Sequence, residues 1–307
     1  MDFKHIPVML EECIDGLLIK PNGIYVDGTI GGAGHSKEIV KRLSNDGLLI
    51  GIDRDEEALE AASKNLEGFN NYKLVHGNHD EIKKILSDLQ IDKVDGILLD
   101  LGVSSYQLDE ASRGFSYNKD DKLDMRMDKS QKLSAFDVVN FYHEKDLANL
   151  IYEYGEERFS RQIAKNITFA RREKPIETTG ELVKIIEKSK PQAKDGHPAK
   201  RTFQAIRIEV NNEIKPLYNT VLNSIDCLKS GGRLVIITFH SLEDRAVKRA
   251  YQQASGKLSG PAELALGANQ NQALGNIITK KPLEASEKEK AENSRSKSAK
   301  VRIFEKN

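Results

Sequence analysis

The feature that most constrains the fold is a series of short, continuous apolar runs ending in aspartate or glycine: "GIYVD" (23–27), "GLLIGID" (47–53), "YKLVHG" (72–77) and "VDGILLDLG" (94–102). A strand with one solvated face alternates apolar and polar residues, whereas one apolar at successive positions is buried on both faces. The segments between these runs are long enough for crossover helices. Together they predict an α/β protein built on a doubly wound parallel sheet.

After Gly102 the pattern stops. Residues 106–134 are polar and rich in turn formers, and residues from about 135 to 210 carry helical periodicity, with Leu147, Leu150, Ile151 and Tyr154 at three- and four-residue spacing. The sheet pattern resumes in "SGGRLVIITFHS" (230–241), and "SAKVRIFEK" (298–306) reads as a closing strand. The expected organisation is a discontinuous sheet domain, residues 1–106 and 211–307, interrupted by an inserted helical domain, residues 107–210. The Gly-, Asn- and Gln-rich stretch 253–281 reads as a mobile loop.

A chain of 307 residues can bury a core without disulfide or metal staples. Cys13 and Cys227 lie far apart and have no C-x-x-C or histidine companion spacing, so the sequence gives no sign of a disulfide framework or zinc site. No run approaches membrane-spanning length, and the N-terminal segment carries charges on both sides of a very short apolar run, unlike a secretion signal. A cytoplasmic protein is expected. Lys and Arg number 47, as do Asp and Glu, so a nucleic-acid partner has to be argued from local patches rather than from net charge.

The first run leads into "DGTIGGAGHS" (27–36), a strand, then glycines, then a helix start. Glycines let the backbone approach a ligand closely. A dinucleotide fingerprint needs a third glycine where Lys37 stands, and no Gly-Lys-Ser/Thr follows to make a P-loop. What remains is an acidic strand end, Asp27, before the loop. Asp53 ends the next run, about 20 residues on, where a carboxylate meets ribose hydroxyls, while Asp55 is placed to cap the following helix. Asp100 ends the fourth run, again on the ligand-binding edge of a parallel sheet. An adenosyl ligand without a pyrophosphate suits this arrangement, and S-adenosylmethionine is the expected cofactor.

In order along nearly the whole chain, "DGTIGGAGHS", "GIDRD" (51–55), "DGILLDLGVSSYQLDEASRGFSY" (95–117), "LDMRMD" (123–128), "YGEERFSRQIAKNI" (154–167), "HPAKRTFQAIRIEVNNE" (197–213) and "GGRLVIITFHSLEDRAVKR" (231–249) resemble the bacterial ribosomal RNA small-subunit methyltransferase H family. The resemblance implies a Rossmann-like, class I S-adenosylmethionine-dependent methyltransferase sheet with a helical substrate-recognition insertion. The implied activity is methylation of a cytidine N4 amine in 16S rRNA near the decoding region of the small subunit. By position it implies cofactor contacts from Gly32, Ala33, Gly34 and His35 to the methionine part, from Asp53 to the ribose, and from His79, Asp100 and Gln107 to the remaining edge.

An exocyclic amine is a poor nucleophile and must be oriented and hydrogen-bonded as it attacks. Asp100 is either a cofactor ligand or the acceptor for that amine; Ser104, Ser105 and His240 are further candidates, His240 as a base near neutral pH. The chemistry requires no metal, and Asp124 and Asp128 are expected to pair with Arg126. The segment 158–174 holds six basic residues against one acidic, a face able to neutralise RNA phosphates, with Phe159, Ile163 and Ile167 expected in the core. The alternatives are a DNA amino methyltransferase, which the absence of a Pro-Pro-aromatic motif after Asp100 disfavours, a non-catalytic cofactor-binding assembly factor, and a nicotinamide oxidoreductase, disfavoured by Lys37.

Overall fold

The computed structural model describes residues 7–103, 113–191, 196–257 and 273–307. The chain divides into two compact units, Met1–Gly102 with Ile214–Asn307, and Val103–Glu213.

In the first unit the four apolar runs form β1 (Ile24–Asp27), β2 (Leu48–Asp53), β3 (Tyr72–His76) and β4 (Val94–Asp100), and β5 (Leu228–Thr238) follows the insertion. These five are parallel, in the order β3-β2-β1-β4-β5. The final strand β8 (Lys300–Lys306) pairs antiparallel with β5, and two short strands, β6 (Gly275–Ile277) and β7 (Leu283–Glu284), pair with β8. So the stretch expected as one loop contains strand β6. Its three residues are too few to show a period, and residues 258–272 lie outside the described ones.

Helices cover both faces. Val26, Ile50, Ile52, Ile97, Leu99, Leu234 and Ile236 point to one core, packed by α4 (Ile82–Asp88), α10 (Leu217–Asp226) and α11 (Ser241–Ala254). Tyr25, Leu49, Leu98, Val235 and Ile237, their neighbours in sequence, point to the other, packed by α1 (Leu10–Leu17), α2 (Gly34–Val40) and α3 (Glu56–Asn65). This two-sided burial is what the unbroken apolar runs of β1, β2, β4 and β5 encode; β3, expected to be buried likewise, is the edge strand and holds no fully buried residue, because a neighbour covers it on one side only. At the amino edge, buried Asp95 accepts from the Ile24 amide at 3.0 Å and from Lys229 at 2.7 Å, joining the starts of β1, β4 and β5.

The second unit holds α5 (Ala135–Phe141), α6 (Glu144–Gly155), α7 (Ser160–Ala170), α8 (Thr179–Ser189) and α9 (Lys200–Asn211) around its own apolar core. Ser134 and Thr178 start α5 and α8 with reciprocal capping boxes. Arg126 pairs with Asp124 at 2.8 Å, while Asp128 instead accepts from the Ser130 amide. Ile163 and Ile167 are fully buried. Phe159, expected beside them, is 44 % exposed, because it precedes the first turn of α7 and escapes that helix's periodicity.

Gly51 shows how the sheet admits the glycine loop. A Cβ on this β2 residue would lie 2.2 Å from Cδ1 of Ile30, a loop side chain buried against the strand. Ile30 has no solvent to move into, so Gly51→Ala is expected to destabilise the fold by about 1–3 kcal/mol through overpacking. A fall in the urea midpoint at unchanged slope checks this.

Candidate active site

Strand order reverses between β1 and β4, since the chain runs outward to β2 and β3 on one side and to β5 on the other. In an open parallel sheet the crevice at such a switch point, outside the carboxyl ends of the strands, is the ligand site. Asp27, Asp53 and Asp100 are the last residues of β1, β2 and β4.

The loop after β1 is stitched to both neighbours. Gly28 N donates to Leu98 O at 2.9 Å and Ile30 N to Ile52 O at 3.0 Å. Asp100 N donates to the Thr29 hydroxyl at 2.6 Å, and Gly31 N to Asp53 Oδ2 at 2.9 Å. Gly28 is required here, because a Cβ would meet Leu99 Cδ2 at 2.5 Å. Gly32 is different: the nearest atom to a Cβ there is Asn65 Nδ2 at 4.0 Å, so its missing side chain leaves open space above the loop. Ala33 is held at φ 62°, in the left-handed region, with its methyl buried in the α1–α3 core, so it can offer a ligand only backbone. Such strain in a non-glycine residue persists only where the surroundings enforce it.

The carboxylates are set in place by these contacts. Asp27, 2 % exposed, accepts from Ser36 Oγ at 2.7 Å and from the Thr29 amide at 3.2 Å. Burial outweighs those bonds and, with Asp53 nearby, pushes its carboxyl up to about 6. Asp53 is less free than the sequence suggests. Asp55 caps α3 as expected, but Asp53 also accepts from the Asp55 and Gly31 amides, keeping one remaining lone pair on each oxygen. Its pKa is raised by burial, against the pull of those amides. Asp100 is raised well above the carboxylate range, by burial first and then by Asp27 and Glu243. Its Oδ1 is shut off from solvent with no hydrogen-bond partner, whereas Oδ2 lies 4.0 Å from Nδ1 of His35. The other ring nitrogen of His35 is 3.0 Å from the Val8 carbonyl, which can only accept, so Nε2 carries a proton and the ring forms part of the floor.

His79 follows β3 and packs beside Gly28; its desolvated surroundings, with Arg54, push its imidazole down to about 3, a neutral ring. Gln107, Ser104 and Ser105 lie outside the described residues. His240 begins α11. Its Nδ1 accepts from the Glu243 amide at 3.5 Å, while the buried Glu243 carboxylate takes the Phe239 amide at 2.7 Å and the His240 amide at 3.3 Å.

Two groups escaped the sequence reading. Asn78 Oδ1, next to His79, is buried and unpartnered, an acceptor that needs a donor; a lone asparagine after a strand carries no signal of this. Glu243 adds to the negative potential on Asp100. Its spacing from His240 is that of a capping box, a pattern the sequence did show.

Acceptors dominate the site: three carboxylates with raised pKa values, and orphaned oxygens on Asn78 and Asp100. A pyrophosphate would add negative charge to it. A ligand with an ammonium, a sulfonium and two ribose hydroxyls offers cations and donors, and S-adenosylmethionine fits. Fold and site together define a Rossmann-like α/β protein of the adenosyl-cofactor methyltransferase class. The chain belongs to the MraW methylase family, whose profile matches residues 2–307. It is 55 % identical over 308 residues to the ribosomal RNA small subunit methyltransferase H of Clostridium botulinum, covering 100 % of both chains. With the protein of the same description from Lachnospira eligens it shares 53 % identity over 309 residues, 99 % of this chain and 98 % of that one.

The raised carboxyls make binding pH-dependent. A group whose folded pKa is raised contributes stability that is complete below its unfolded value, near 3.8 for Asp27, and is lost as pH rises through the folded value, about 6. The ligand-free protein should therefore lose thermal stability between about pH 4 and 7. A cationic ligand favours the ionised carboxyls, so S-adenosylmethionine should bind more tightly as pH rises over that range and release protons. Calorimetry in buffers of different ionisation enthalpy reads the proton count; zero release at pH 6 contradicts the assignment.

Proposed function

We propose that this chain transfers a methyl group from S-adenosylmethionine to the N4 amine of a cytidine in small-subunit 16S rRNA. The observation that carries the reading is the crevice of acceptors at the switch point, Asp27, Asp53 and Asp100 around an open glycine loop, in a member of the MraW methylase family. Relatives over half identical across their full length are described as small-subunit ribosomal RNA methyltransferases. The Val103–Glu213 unit serves as the substrate-recognition domain. No helix among the described residues is long and apolar enough to cross a membrane.

Asp53 holds the ribose hydroxyls through its two remaining lone pairs, and the backbone of Gly32 to His35 lies along the methionine part. When bound, the cofactor supplies an electrophilic methyl on a cationic sulfur. Asp100, with one oxygen unsatisfied, accepts a hydrogen bond from a donor N–H in the crevice, orienting an amine and taking up positive charge as it develops. His240 turns Nδ1 to the Glu243 amide as the helix cap, and its buried Nε2 lies 3.0 Å from Glu243 Oε1, so both ring nitrogens face the start of α11. It is a positioning residue that fixes the end of β5.

Two outcomes check these roles. Asp53→Ala should lower S-adenosylmethionine affinity at least tenfold, since each hydrogen bond to a charged group is worth about 1.5–3 kcal/mol; unchanged calorimetric affinity would remove Asp53 from the site. Asparagine caps helices well, so His240→Asn should keep the wild-type melting temperature and pH–rate profile, whereas His240→Ala should lose about 1 kcal/mol of stability. Loss of an ionisation from the rate profile of a stable His240→Asn would make His240 a base. Nucleoside mass spectrometry of undermodified 30S subunits, incubated with the protein and labelled cofactor, tests the reaction itself: N4-methylcytidine in 16S rRNA is expected, and label in another nucleoside or none in RNA overturns the reading.

A further inference from the structure

From Arg158 to Arg172 the chain contains no acidic residue, and α7 occupies most of that stretch. The helix turns Ile163, Ala164, Ile167 and Thr168 inward. Arg161, Lys165 and Phe169 are exposed at four-residue spacing along one face of α7, and Arg158 and Arg172, also exposed, stand in the turns just before and after it, extending a basic strip along that side. None of these four cations has an ion pair or side-chain hydrogen bond among the described residues.

Several other cations of the same unit are engaged by the fold. Arg171, within the same stretch, donates to the carbonyls of Val139 and Tyr142 at 2.6 Å. Arg207 forks onto Glu213, Lys190 pairs with buried Glu157, and Lys174 reaches Glu181. What sets the strip apart is that its four cations are clustered, with no acidic residue from 158 to 172 to offset them. Two large aromatic side chains lie among them in solvent, Phe159 at 44 % and Phe169 at 65 % exposure, at the ends of α7. An unpaired basic stripe interleaved with exposed rings is the composition that holds single-stranded nucleic acid, phosphates on the cations and bases against the rings.

We infer that the exposed side of α7 and of the turns at its two ends, with Arg158, Arg161, Lys165 and Arg172 as phosphate contacts and Phe159 and Phe169 as stacking surfaces, is where this protein grips unpaired RNA. The inference rests on the rRNA reading above and assigns that partner to a particular face. The alternative occupant, an acidic protein surface, would use the charges without the rings.

The test compares wild type, Arg158→Gln/Arg161→Gln/Lys165→Gln/Arg172→Gln, the conservative Arg158→Lys/Arg161→Lys/Arg172→Lys, Phe169→Ala, and a charge-matched control, Lys41→Gln/Lys84→Gln/Lys281→Gln/Lys288→Gln, placed on exposed lysines of the sheet unit. A fluorescent single-stranded 16S rRNA fragment is titrated by anisotropy across a salt series, and KM for undermodified 30S subunits is measured alongside. With about 0.7 counterions released per phosphate contact on a single strand, the quadruple Gln variant should lower the log–log salt slope by about 3. The Lys variant and the control should keep the wild-type slope. Phe169→Ala should weaken binding roughly tenfold at an unchanged slope, since stacking is uncharged. S-adenosylmethionine affinity should be the same in all five, which also shows that each is folded.

An unchanged slope in the quadruple variant, beside a wild type that methylates RNA, overturns the assignment of this face and leaves the enzymatic reading standing. A raised KM for 30S subunits with an unchanged slope on naked RNA makes the partner a protein and also overturns it. A wild type that transfers no methyl group to RNA defeats the rRNA reading, and the slope comparison still decides whether this face binds RNA.

Discussion

The structure of the sheet unit depends on one electrostatic constraint: three carboxylates end adjacent strands, Asp27 fully buried and Asp53 and Asp100 largely withdrawn from water. Each is placed by the pleat and register of a buried strand, so none can turn away. Asp27 is compensated only by a hydroxyl and an amide, and Asp53 by two amides. The loop between them, pinned to β2 and β4 by its own backbone, supplies much of that compensation. Loop geometry and carboxylate charge are thus one system. All three are shifted upward, the direction expected where burial outweighs the hydrogen bonds that the fold supplies.

Much of the architecture was legible because burial on two faces writes itself as unbroken apolar runs. The same signal marked where the sheet stops, since the helical insertion reads at a different period. The strands β6 and β7 were not legible: three and two residues carry no period, and they exist only because β8 offers them an edge. Phe159 was misplaced for a related reason, because helical spacing was extended one residue beyond the helix that generates it.

The site was legible where a single residue ends a strand and illegible where two distant segments meet. Asp27, Asp53 and Asp100 each close an apolar run, so topology alone brought them to one edge. The bond between Asp27 and Ser36 depends on how α2 returns over the loop, and the placing of the Ala33 methyl in the core depends on a left-handed φ that sequence gives no reason to assign to alanine. Asn78 gave no warning at all: what makes it noteworthy is a missing partner, and absence of a partner is a property of packing.

The formal net charge of zero conceals a division of labour. In the sheet unit, negative charge is concentrated and desolvated, where it acts over short range on a bound cation. On α7, positive charge is dispersed along a solvated face, where each charge is worth little to folding but every phosphate it meets releases a counterion. Exchanging the two arrangements would fail on both sides: buried arginines would repel a sulfonium, and exposed aspartates would repel RNA. The separation lies in where the charges sit and not in either unit's total, since residues 103–213 hold 20 Lys and Arg against 19 Asp and Glu: a small cation and a large polyanion are each met by a local arrangement, and a net charge of either sign would serve neither.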